Sequence, residues 1–273
     1  MGIIRYVFPA FVLAMWAAWG YGAATGGLAG IHWAVLALAY LGCAIIFVNF
    51  VYVFSYGYAI SMVLANAAIM VAKPTPPVLV VGGLGVAYGL RLGWFVWSRY
   101  QSAGYAATRA RGERSNAGVP LPFRLFMWVC CSWLMAFVAF PAWVVGTDPE
   151  LTVGVLGGAA LTLVGLVLEA IADQQKQAAK AASPGRFVTT GLYARVRHPN
   201  YLGEILFQLG LVVISIAAAP TGLALALGTL GPLYIVVLMV AAARDQDEQQ
   251  VTRYGNDPAY REYRARSGSL LPG

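Results

Sequence analysis

From Tyr6 to Ala72 the chain contains no Asp, Glu, Lys or Arg. No water-soluble fold can cover its surface from such a stretch, so the residues must be surrounded by lipid. A segment in lipid has to satisfy its own backbone hydrogen bonds, and helices do so within one segment. The rest of the chain carries the same signal. Of 273 residues 60% are hydrophobic and 11% charged, where soluble domains carry about 25% charged residues; mean hydropathy is +0.69. The expected fold class is all-α, a polytopic integral membrane bundle.

Apolar runs predict helices near Tyr6–Tyr21, Trp33–Val53, Ser55–Val71, Val78–Trp97, Leu125–Val145, Leu151–Ile171, Tyr201–Ala218 and Leu223–Ala242. Most can cross a hydrocarbon core of ~30 Å; the first, third and seventh are marginal. Seven or eight transmembrane helices follow, because Trp33–Val71 reads either as two crossings or as one crossing with a re-entrant piece. The opening MGIIRYVFPAFVLAMWAAWG has no clean cleavage site and reads as a first helix, not a signal peptide. Met1-Gly2 lacks the Ser or Thr of a myristoylation signal. Residues 1–76 form an N-terminal group of helices and 77–273 the part that carries the chemistry.

Basic residues set the expected orientation. Arg99, Arg109, Arg111, Arg114 and Arg124 crowd one loop against a single acid, Glu113; Lys176, Lys180, Arg186, Arg195 and Arg197 crowd the next. The tail adds Arg253, Arg261, Arg264 and Arg266, whereas the loop GTDPE holds only Asp148 and Glu150. The positive-inside rule places the basic loops and the C-terminal tail in the cytoplasm, with the bundle in a bacterial inner membrane. The formal charge of +7 is accounted for by these loops, so nucleic acid is not an expected partner.

Cys43, Cys130 and Cys131 all lie in apolar runs, with neither a disulfide framework nor a CxxC metal site. Two histidines, His32 and His198, cannot build a His-rich metal centre. Gly85, Gly89 and Gly93 recur every four residues and predict close helix packing. Neither a GxGxxG fingerprint after a strand nor a P-loop occurs, so a nucleotide would need another kind of cradle.

Ionisable groups at membrane depth are costly and mark sites. Four stand out: Arg91, Glu169, Glu204 and Arg244. Glu169 lies four residues before Asp173, which puts both on one helical face; pairing of these acids with Lys176 and Lys180 is the structural alternative. The stretch GLYARVRHPNYLGEI, 191–205, places Arg195, Arg197 and His198 ahead of Pro199, a residue suited to the first turn of a helix. Free backbone N–H groups and the positive dipole end make such a mouth an anion site. Asn200 and Glu204 share a face one turn inside and suit an amide or ribose edge. Binding of lipid headgroups explains the bases equally well, but not Glu204.

At these residues the chain resembles a known group. ADQQKQAAKAASPGRFVTTGLYARVRHPNYLGEI is similar to the C-terminal signature of the steroid 5α-reductase-like membrane proteins, a group with a large bacterial branch. YGLRLGWFVWSRYQ resembles that family's Tyr-x-x-Arg helix, and YREYRARSGSLLP its terminal motif. The resemblance covers roughly residues 80–273. It implies an NADPH-dependent reduction of a C=C bond conjugated to a ketone in a lipophilic substrate. It also implies a cofactor cavity made by the last helices, bounded by membrane lipid, and leaves the oligomeric state open. Residue by residue, Asn200 and Glu204 match the Asn and Glu that hold the cofactor, Asp173 and Lys180 a family Asp and basic residue, and Arg244 an Arg on the last helix. Glu169 stands where the family often has Asn. Tyr193, Arg197, His198 and Glu248 complete the expected cofactor set, and Tyr88 with Arg91 the catalytic pair. Tyr88 would polarise the substrate carbonyl.

Steroid-reducing members carry a Gln-Glu pair on the preceding helix to assist that tyrosine. The corresponding NFVYVFSYGYAIS has neither an acid nor a Gln, so the resemblance implies a lipid-like enone without naming it. A second resemblance, to methyltransferases like isoprenylcysteine carboxyl methyltransferase, rests on RHPNYLG and on Arg244 followed by Asp247-Glu248 and TRYGNDPAYREYRAR. It implies S-adenosylmethionine held by His198, Asn200 and the Arg/Glu pair.

Overall fold

The computed structural model describes residues 4–102, 105–147 and 150–273; Asp148 of the acidic loop and the Met1-Gly2 start lie outside the described residues. Ten α-helices form the described chain, with no strand among the described residues. They are α1 Ile4–Ala24, α2 Gly30–Cys43, α3 Tyr56–Ala72, α4 Pro76–Gln101, α5 Ala106–Ala117, α6 Leu121–Val144, α7 Val153–Ala182, α8 Pro199–Ala218, α9 Gly222–Tyr254 and α10 Pro258–Arg266. Among the described residues seven segments are long and apolar enough to cross a membrane: Val7–Ala24, Gly30–Phe47 and the helices α4, α6, α7, α8 and α9. The molecule is an integral membrane protein.

The eighth long helix, α3, has 17 residues, about 25 Å at 1.5 Å per residue. It runs between the same two ends of the bundle. Ahead of it, Tyr52 donates its hydroxyl to that of Tyr100 at the close of α4, at 3.1 Å. Beyond its end, the Lys73 ammonium lies 5.4 Å over the Trp143 ring at the close of α6. Trp33–Val71 is therefore two helices, α2 and α3, joined by a connection of 3-10 turns. The single helix expected over Trp33–Val53 is corrected: α2 stops at Cys43, and two short 3-10 turns, Ala44–Phe47 and Phe50–Phe54, follow. Asn49 separates them in an extended conformation, its side chain accepting from Val51 N at 3.0 Å. Arg124 fastens this turn by donating to Ile46 O at 3.1 Å and Asn116 O at 2.6 Å.

Two helices outrun their apolar segments. α7 continues to Ala182 and α9 to Tyr254, because Ala, Gln, Lys, Glu and Arg propagate a helix well once it leaves lipid. Pro184-Gly185 and Gly255 then interrupt the chain. Both polar extensions project at the end of the bundle that carries Arg99 and α5.

Helices α7 and α8 touch backbone to backbone. A Cβ at Gly165 would collide with Phe207 N and lie 2.5 Å from Gly203 O; one at Gly203 would lie 2.6 Å from Glu169 N. Seven residues further out the pattern recurs, where Gly158 would meet Gly210 O at 2.8 Å. The Gly85/Gly89/Gly93 stripe packs as expected, a Cβ at Gly89 reaching Ala59 O of α3 at 2.7 Å. Such small-residue seams let helices approach closely in lipid, where van der Waals contact drives association. Gly165→Ala is expected to cost about 1–3 kcal/mol through overpacking and to lower the unfolding temperature in detergent. Gly157→Ala on the same helix, which meets nothing within 4 Å, should leave it unchanged.

Candidate functional site

Close approach of α7 and α8 brings three carboxyl groups together deep in the bundle. Asp173 is one turn along α7 from Glu169, and Glu204 on α8 follows the Gly203 that contacts Glu169. Arg91 reaches across from α4. Its Nη2 lies 2.7 Å from Glu169 Oε1, and its Nη1 donates to Asp173 Oδ2 at 2.8 Å. The side chains are 16%, 11% and 8% exposed, so the pairs are shielded from water and a lone partner would be a buried charge. The alternative pairing of these acids with Lys176 and Lys180 is corrected by this geometry. Arg91, expected beside Tyr88 as a catalytic group, binds α4 to α7.

Tyr88 sits one turn earlier on α4, 7% exposed. Its ring packs on Phe207 with centroids 4.6 Å apart, and the Arg91 guanidinium lies 5.7 Å over it. Glu204 lines the same cavity as Tyr88. Gln208, one turn beyond Glu204 on α8, donates Nε2 to Glu204 Oε1 at 2.7 Å. Glu204 and Gln208 are thus paired on α8. The i, i+4 spacing of Glu204 and Gln208 was present in the sequence and marks them as one helical face.

A cavity of about 680 Å³ opens at this point. Tyr88, Glu169, Asp173, Asn200 and Glu204 are among its walls, with Lys176, Lys180 and Arg99 towards the end that carries the helix extensions. On the other side the lining is apolar and aromatic, including Phe8, Phe11, Met15, Tyr58, Leu134 and Tyr234. Asn200 is half-buried, its Oδ1 3.4 Å from the hydroxyl of Tyr193. Lys176 and Arg99 were not among the expected site residues; only the fold turns them onto the same space as Glu204. Lys180 also donates to Arg186 O, closing the loop after α7.

The remaining expected residues lie outside the cavity walls among the described residues. Arg244 and Glu248 are exposed on the extension of α9. Arg197 and His198 converge on Asp247: Arg197 donates Nε to Oδ1 at 2.9 Å and Nη2 to Oδ2 at 3.0 Å, and His198 Nε2 lies 2.9 Å from Oδ1. Burial pushes the His198 imidazole below its ordinary value, against the pull of Asp247. The neutral ring then donates Nε2–H to that carboxylate. Arg197 also donates to Ser267 O, its own N–H to Gly268 O at 2.9 Å, and His198 N to Ser269 O at 3.0 Å. Tyr193, expected as a cofactor contact, accepts at its carbonyl from the Tyr263 hydroxyl at 2.8 Å. These groups lock the C-terminal tail onto the entrance of α8, and the anion mouth expected there already holds a carboxylate.

The loop between α7 and α8 is shaped from within. Gly191 takes φ of +62°, a conformation glycine adopts without steric cost, and Leu192 N donates to Gln175 Oε1 at 2.8 Å. Asp247→Ala would strand the Arg197 guanidinium among buried groups. An expected loss of about 3–5 kcal/mol, the cost of breaking a buried pair from one side, is measurable as a lowered unfolding temperature. Protease cleavage of the released tail should accompany it.

No protein of curated function and no solved structure matches the chain. Residues 44–267 match the model of a family described as proteins of unknown function, DUF1295, and the chain belongs to that family.

Proposed function

We propose that the protein is a membrane oxidoreductase that uses NADPH to reduce a C=C bond conjugated to a carbonyl in a lipophilic substrate. The observation that carries this reading is that Tyr88 and Glu204, the latter paired with Gln208, line one cavity whose walls carry both apolar aromatic and basic side chains. An apolar enone would occupy the aromatic side and bring its oxygen to the phenol. A phenol there donates a hydrogen bond to the oxygen as negative charge develops on it, which stabilises an enolate-like transition state. Burial strengthens that interaction, since little water competes for it.

The donor set on the other side suits a dinucleotide phosphate. Arg99, Lys176 and Lys180 supply positive charge for phosphates, and Asn200 with Glu204 supplies an amide and a carboxyl for the nicotinamide carboxamide. Glu169 Oε2 is buried and without a hydrogen-bond partner among the described residues, so an incoming N–H would be accepted there. When bound, NADPH supplies the hydride; the protein orients the carbonyl, shields the reaction from water and holds the proton. The basic end is then the cytoplasmic face of a bacterial inner membrane, where such a cofactor is found, with the C-terminal tail on that side.

NADPH fluorescence tests the cofactor assignment directly. Titration of the purified protein should quench it, and Asn200→Ala and Glu204→Ala should each weaken binding by about tenfold or more without unfolding the protein. Stabilisation by S-adenosylmethionine in place of NADPH would reject the reductase and favour methyl transfer. For Tyr88→Phe, cofactor binding should persist while turnover of a long-chain α,β-unsaturated ketone falls by at least a hundredfold. Unchanged turnover removes Tyr88 from the reaction.

A further inference from the structure

Glu169 and Glu204 stand on adjacent helices where Gly203 packs on Glu169, and both line the cavity, at 9% and 6% exposure. Two carboxylates cannot hydrogen-bond to one another; a carboxyl group donates only when it carries a proton. Glu169 Oε2 has no donor among the described residues, although it is buried, and buried polar atoms of this kind call for a partner. The groups around the pair do not provide one charge each. From α4 come Arg91 and the Tyr88 hydroxyl, from α7 Asp173, and from α8 the neutral Gln208; Lys176 stands beyond Asp173. One guanidinium is thus shared by Glu169 and Asp173, while Glu204 has no ion-pair partner of its own.

We propose that Glu169 and Glu204 hold a single proton between them at neutral pH and form the proton reservoir behind Tyr88. Gln208 fits this role. It is 1% exposed, its Oε1 is unpartnered, and an amide presents a donor to a carboxylate or, turned over, an acceptor to a carboxylic acid. The same side chain can therefore follow Glu204 through both states.

The chemical use of the proton rests on the reductase reading. Reduction of an enone needs one hydride, which brings both electrons from the nicotinamide, and one proton. The Tyr88 O–H bond breaks as the substrate enolate oxygen takes its proton. The carboxyl pair then gives up its own proton to restore the phenol and is left with one more negative charge. The enol tautomerises to the saturated ketone, and a proton entering past Lys180, Lys176 and Asp173, which line the cavity in steps along α7, refills the pair.

Infrared spectroscopy of the protein without nucleotide or substrate tests the shared proton independently of any activity. At pH 7 we expect a C=O stretching band of a protonated carboxyl that shifts in D2O. It should disappear in both Glu169→Gln and Glu204→Gln and remain in Asp173→Asn. Absence of the band from the wild type, or its survival in either glutamine variant, overturns the proposal. Where a glutamine variant does not fold, Glu169→Asp or Glu204→Asp replaces it, and the band should move in frequency; an unmoved band overturns the proposal equally. A band of the expected behaviour combined with no NADPH binding would reject the reductase reading and leave the proton pair standing.

Discussion

Contact between the backbones of α7 and α8 is the constraint on which the site depends. Where Gly165 faces Phe207 and Gly203 faces Glu169, no side chain separates the helices. A carboxylate on one must therefore meet a carboxylate on the other. That crowding would be repulsive in isolation. It is tolerated because Arg91 enters from α4 and because the surrounding aromatic walls exclude water without removing every polar partner. Packing and chemistry are here the same fact. The glycines that let helices associate in lipid also bring Glu169 and Glu204 into one space, and substituting them would alter both at once.

Polarity is graded along the cavity, and this follows from where helices leave the membrane. α7 carries apolar residues up to Glu169 and polar ones from there to Lys180, without a break in the helix. One continuous rod thus offers lipid-compatible surface at one level and ammonium groups at another. α4 repeats the arrangement from Tyr88 through Arg91 to Arg99. An amphiphile entering such a space would be oriented by the gradient before any specific contact formed.

Much of the bundle was legible in the chain because membrane helices obey a strong constraint on length and composition. The apolar runs located the long helices, and the glycine stripe in α4 announced its packing. The ends were less legible. Nothing in a hydropathy pattern says that α7 should run on to Ala182 or α9 to Tyr254, since a polar extension looks the same as a polar loop. α5, with no apolar face to speak of, was invisible for that reason. At the site, Asn200 and Glu204 could be paired from their spacing alone. The partners of Arg91, Arg197 and His198 could not, because each lies on a helix remote in sequence: Arg91 reaches 82 residues forward to Asp173, and His198 49 to Asp247.

The tail's attachment has a bearing on how the protein is made. Arg195 O accepts from Gly268 N, and Arg197 and His198 donate back to Gly268 and Ser269, so the entrance of α8 is completed by residues synthesised some seventy positions later. Helices α1 to α9 can insert and pack while this edge still lacks its pairing partner. The α8 end of the loop between α7 and α8 is held by residues 268 and 269. Without residues 268 and 269 the entrance of α8 would lose three backbone hydrogen bonds.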